Sequence, residues 1–105
     1  MEGLPPEVIA RLRPLMREER VVAGTSVVRE GEPGERFYLV LEGELEVTQV
    51  GRGQRGLIGP GDTFGEVALA MGVARTATVR ALTDATLSSC DRATFDEVVR
   101  PVFSD

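Results

Sequence analysis

The chain has 105 residues, 42% of them apolar and 28% charged, with a net charge of −5; this suits one soluble domain and excludes a nucleic-acid interface, which needs a basic face. There is no histidine and only one cysteine, Cys90, so a histidine-based metal centre and an internal disulfide are excluded and a reducing, cytoplasmic setting is expected. No apolar run approaches a membrane span and no secretory signal is recognisable.

From the N-terminus, Leu4-Pro5-Pro6-Glu7 opens a helix predicted over about residues 5–17, with proline tolerated in its first turn. Val8, Ile9, Leu12, Leu15 and Met16 recur at helical spacing and mark the face that packs on the rest of the domain. Pro14 bends or divides this helix, and Arg17-Glu18-Glu19-Arg20 reads as its solvated end. At Val21 the period changes to that of strands. Short strands are predicted at Val21 to Ala23, Ser26 to Arg29, Arg36 to Glu42, Glu44 to Val50 and Gln54 to Ile58. Glycines punctuate them, with Gly51-Arg52-Gly53 as a hairpin tip. Later come a strand over Thr76 to Ala81, another over Ala85 to Asp91, which buries Cys90, and a helix over about 93–99. Many short strands with close-set glycine turns imply an antiparallel β-roll or jelly roll, spanning about residues 21–91. No composition break marks a second domain. All twelve basic residues are arginine and asparagine is absent, which hints at a GC-rich bacterial source.

The stretch 59–82 carries the chemistry. Gly59-Pro60-Gly61 forms a turn, Val67 to Met71 is long enough for one short helix, and Gly72 ends it in the left-handed region. A helix start offers unpaired N–H groups to an anion, and Gly65 allows close approach to that backbone. Arg75 adds a fork of donors matched to two oxygens of a phosphate. Glu66 does not fit a pure anion site, but a carboxylate accepts from a hydroxyl. The combined demand is a phosphate joined to a hydroxyl-bearing group, as in a ribose phosphate.

Phe64-Gly65-Glu66-Val67-Ala68-Leu69, followed by Arg75-Thr76-Ala77-Thr78-Val79, resembles the phosphate-binding cassette of cyclic nucleotide-binding domains, with Arg75 nine positions after Glu66. The likeness extends back through Glu30 to Glu35 and Phe37 to Val47. Such domains occur in bacterial catabolite-activator-like regulators, kinase regulatory subunits and cyclic nucleotide-gated channels. Ala74 departs from the proline many members carry there, without removing a ligand group. The resemblance implies a cassette over 64–78 that binds cyclic AMP or, alternatively, cyclic GMP. Arg75 and the N–H groups of Val67, Ala68, Thr76 and Ala77 would take the phosphate, with the Thr76 hydroxyl on phosphate or base. Glu66 and the Gly65 backbone would hold the ribose hydroxyl. Val47, Leu57 and Ile58 are candidates for the base pocket, and Arg80 is expected to turn elsewhere. Arg75 is taken to serve the ligand, with little part in folding.

No nucleophile–base pair and no metal cluster is visible, so a regulatory module with no cofactor is expected, acting on an attached or partner effector. Two other readings are a β-roll interaction module that binds no nucleotide and a cupin-like enzyme. Intact Glu66 and Arg75 oppose the first, and the lack of histidine opposes the second. Neither nucleic acid nor membrane is an expected partner, and nothing in the sequence sets the oligomeric state. Pro101 is expected to interrupt the last helix, leaving 102–105 too short to cover a bound base.

Overall fold

The computed structural model describes residues 4–103, and the chain forms an antiparallel β-roll with short helices at either end and one inside the cassette. The N-terminal helix α1 spans Pro6–Leu12 and tightens into a 3₁₀ turn at Arg13–Leu15. Val8 and Leu12 are buried as the helical spacing requires, but Leu15 is 54% exposed. Pro14 is the reason: a proline cannot continue an α-helical hydrogen-bond ladder, and the tighter turn rotates Leu15 out of the apolar stripe.

That early stop changes the next segment. Residues 17–20, expected as a solvated helix end, belong instead to strand β1 (Arg17–Val21), which pairs antiparallel with β8 (Ala85–Asp91). The charged sequence suits its place, because β1 is an edge strand and charge discourages pairing with a foreign chain. Glu19 faces inward enough to accept from the buried Ser89 hydroxyl, which also accepts from Arg36 Nε at 3.0 Å. β1, β8, β3 (Arg36–Glu42) and β6 (Thr63–Phe64) form one sheet, in that order. β2 (Ser26–Val28), β7 (Thr78–Ala81), β4 (Leu45–Gln49) and β5 (Gly53–Ile58) form the other. Gly53, predicted in the hairpin tip, opens β5, and Thr76 and Ala77 precede β7.

The apolar run of β3 reflects burial on both faces. Tyr38 and Val40 point into the roll with Val28, Leu45, Phe64, Val79 and Leu87, whereas Phe37 joins a second cluster outside it. There Phe37, Leu69 and Cys90 meet Val8 and Leu12 of α1 and Phe95, Val98 and Val99 near the C-terminus. The Cys90 thiol is 1% exposed and burial pushes it up to about 11, so it packs as a small apolar group.

The last helix is longer than predicted. It starts as α3 (Arg92–Thr94), capped by the Asp91 carboxylate accepting from Thr94 N, and widens to a π turn over Phe95–Val99. It continues as α4 (Arg100–Phe103), so Pro101 does not interrupt it. Proline lacks a donor and crowds the carbonyl four residues back; the wider turn just before it accommodates both. Ser104 and Asp105, counted in the short expected tail, lie outside the described residues.

Candidate ligand-binding site

The turn at 59–62 closes on itself: Asp62 N donates to Gly59 O at 3.0 Å, and Gly59 N donates to the Asp62 carboxylate at 2.9 Å. β6 then hydrogen-bonds to β3, and the chain swings through Gly65 at φ +99° into helix α2 (Glu66–Met71). No side chain caps the N-terminus of α2, and Gly72 ends it in the left-handed region. A β-carbon on Gly65 would sit 2.9 Å from both Arg36 O and Arg75 Nη1. Only glycine fits that passage.

Between α2, the β7 entry and the roll interior lies a cavity of about 200 Å³. All seven predicted ligand residues, Gly65, Glu66, Val67, Ala68, Arg75, Thr76 and Ala77, line it. So do Val47 and Ile58. Leu57 does not: it is 55% exposed, because strand alternation sends it to the face opposite Ile58. The sequence reading missed Val28, Thr63, Phe64 and Val79. Phe64 stacks on Tyr38 with centroids 4.8 Å apart, closing the wall toward β3. Its position inside the cassette motif, like that of Val79, was a usable signal; Val28 carried none, because only sheet pairing with Val79 brings it to the cavity.

Arg75 is 7% exposed. Its Nη1 donates to Gly65 O at 3.1 Å and its Nη2 to Arg36 O at 2.8 Å. Backbone bonds fix its base: Arg75 N donates to Glu32 O and Gly31 N to Arg75 O, both at 2.8 Å. Gly34 lies against the guanidinium, where a β-carbon would come within 3.1 Å of Arg75 Cζ and 2.4 Å of Ala68 Cβ. Arg75 therefore also serves the fold, contrary to its expected ligand-only role, since two backbone acceptors depend on it. Among the described residues it forms no ion pair. Burial pulls its pKa down, opposed by Tyr38, Glu35 and Glu66, yet a guanidinium stays protonated in proteins. A buried cation held only by neutral acceptors still calls for an anion.

Glu66 complements it. Burial pushes its carboxyl above the usual range, opposed by its own backbone N–H and by Arg75. Glu66 Oε2 and Thr63 Oγ1 are the buried side-chain polar atoms without a hydrogen-bond partner among the described residues, and both residues line this cavity. Such orphans are uncommon in folded proteins. Arg80, by contrast, turns to the surface and donates two bonds to Glu46 Oε1, at 2.7 and 3.1 Å.

The far end of α2 is tied to the C-terminal helix. Arg100 donates to Leu69 O at 2.8 Å and Ala70 O at 2.9 Å, and Arg92 Nη1 to Leu69 O at 3.5 Å, while Arg92 Nη2 reaches the loop carbonyl of Gly34 at 3.0 Å. These cations satisfy helix-end carbonyls and complement the negative end of the dipole.

A family model described as cyclic nucleotide-binding domain matches residues 18–101. The chain belongs to the cyclic nucleotide-binding domain family. It is 40% identical over 100 residues to the cGMP-dependent protein kinase egl-4 of Caenorhabditis briggsae, covering 95% of this chain and 13% of the kinase. It is 42% identical over 77 residues to the cAMP-dependent protein kinase regulatory subunit of Schizosaccharomyces pombe, covering 73% of this chain and 19% of the subunit. Among solved structures, the regulatory domain of Toxoplasma gondii PKA with cAMP superposes with a TM-score of 0.85 at 32% identity, covering 94% of this chain and 39% of that one. The chain thus spans a small part of the relatives it matches. Family membership makes it a regulatory domain, not a catalyst, and the β-roll is the family's fold.

Proposed function

We propose that this cyclic nucleotide-binding domain is a sensor for cyclic AMP that passes its ligand state to an attached or partner effector. The observation that carries the reading is the buried Arg75 cation, without an ion pair among the described residues, facing the same cavity as the orphaned Glu66 Oε2. Arg75 and the amides of Val67, Ala68, Thr76 and Ala77 receive the cyclic phosphate, while Glu66 accepts from the ribose 2′-hydroxyl beside the Gly65 backbone. The purine enters the apolar end formed by Val28, Val47, Ile58 and Val79. These four side chains form no hydrogen bonds, so by themselves they discriminate weakly between purines. Cyclic GMP is the competing ligand, and Thr76 is the polar group placed to favour it.

Transmission runs through α2, because the helix that meets the ligand at its start is held at its end by Arg100. A ligand shifts that contact only as far as it binds the two arrangements unequally. A bacterial source and a cytoplasmic setting belong to the same reading, supported by the all-arginine basic set and the single buried thiol. Titration calorimetry with cyclic AMP and cyclic GMP tests the proposal. We expect saturable binding of both, with a modest preference for cyclic AMP. No heat with either nucleotide, or a strong preference for cyclic GMP, would overturn it in whole or in its choice of base.

A further inference from the structure

The cassette leaves the cavity through the Thr76–Ala77 peptide, and the way this peptide is held is informative. β4 and β7 pair through Leu45↔Ala81, Glu46↔Arg80, Val47↔Val79 and Thr48↔Thr78. Leu82 N donates to Glu44 O at 2.8 Å, so Glu44 and Leu82 form a hydrogen-bonded pair. In an antiparallel ladder such pairs alternate, which makes Thr48 and Thr78 another and places the next rung at Val50 and Thr76. That rung is replaced by side chains. Val50 N donates to Glu30 Oε1 at 2.9 Å, and Thr76 O accepts from Gln49 Nε2 at 2.8 Å. Glu30 N in turn donates to Thr78 Oγ1 at 3.0 Å, fastening the start of β7.

A trans peptide is planar, with its C=O and N–H pointing in opposite directions. Holding the Thr76 carbonyl on the β4 side therefore turns the Ala77 N–H away from β4. A flip of this peptide would exchange that donor for a carbonyl, which repels an anion. We infer that Gln49 is a positioning residue for the ligand phosphate, locking the Thr76–Ala77 peptide with its N–H toward the anion bound beside Arg75. The inference rests on the cyclic nucleotide reading above and adds a residue outside the cassette. Gln49 does not itself line the cavity.

The test compares the parent with Gln49→Met, which keeps length but removes the donor, and Gln49→Lys, which restores one. Each is titrated with cyclic AMP while the Ala77 amide is followed by NMR. The parent should show a downfield shift of the Ala77 amide proton on binding. Gln49→Met should remain folded, bind roughly threefold to tenfold more weakly, as for loss of one hydrogen bond, and lose most of that shift. Gln49→Lys should recover the shift. Parent-like affinity in Gln49→Met, or weaker binding with the Ala77 shift intact, would overturn the positioning role while leaving the function standing. Failure of the parent to bind would remove both.

Discussion

At the scale of single residues, Arg75 combines two duties that can be separated by measurement. Its positive charge has no ion-pair partner among the described residues, while its N–H groups donate to the Gly65 and Arg36 carbonyls. Arg75→Ala should weaken cyclic AMP binding by about 2–5 kcal/mol, as for a desolvated charge left without its partner. It should also lower the melting temperature, because a buried acceptor left unpaired costs about 1–3 kcal/mol. Calorimetry and thermal melts on the same variant check both. Glu66 behaves differently. Burial raises its pKa, so the folded state holds that proton more tightly than the unfolded chain does. The resulting stabilisation is present below the ordinary carboxylate range and is lost as pH rises through the raised value. Glu66→Gln should therefore melt higher than the parent at pH 7, with the advantage gone near pH 4, about the unperturbed glutamate pKa. The same variant should discriminate less between cyclic AMP and its 2′-deoxy analogue, which in the parent loses about 1–3 kcal/mol. A pH series of melts and paired titrations decide the matter.

Elements show how the site is connected. α2 is six residues long, too short to be stable alone. It persists because Leu69 is buried in the outer cluster and Arg100 closes its last carbonyls. Arg100→Met keeps the apolar stem over Phe95, where the guanidinium now sits 5.8 Å from the ring centroid, but removes both donors. We expect faster amide hydrogen exchange in α2, with the β3–β8 pairing unchanged. Equal exchange in α2 would show that packing alone holds the helix.

For the whole molecule, ligand affinity and fold stability are coupled through the two apolar clusters. A ligand at one hundred times its Kd stabilises the native state by about 2.7 kcal/mol, or on the order of 10 °C in a domain this small. Scanning calorimetry should show that shift in the parent and, at the same ligand concentration, at most about a third of it in Arg75→Ala. Leu12→Ala, fully buried in α1, should cost about 2–5 kcal/mol. It should also weaken nucleotide binding, because Leu12 shares its cluster with Leu69 of α2. Leu87 shares the roll cluster with Val28, Phe64 and Val79 of the cavity wall, so Leu87→Ala should destabilise comparably and weaken binding through the base end of the cavity rather than through α2. Urea melts paired with titrations would separate the two.

The sequence by itself determined the roll, the turn–helix–turn of the cassette and the grouping of Gly65, Glu66 and Arg75. These rest on local rules: glycine turns, strand alternation and short-range spacing all act within a few residues. Burial at Cys90 and the outward turn of Arg80 followed from the same alternation. Tertiary structure alone decided the rest. Arg17 to Arg20 carry no apolar pattern, and only the exposed edge of β8 makes a strand of them. Pro101 reads as a helix stop until a π turn widens to admit it. The backbone carbonyls that hold Arg75 come from residues 10 and 39 positions away; a backbone carbonyl has no letter in the sequence. Gln49 is 27 positions from the peptide it supports, and only the β4–β7 register brings them together, because a sheet joins residues by pairing rather than by distance along the chain.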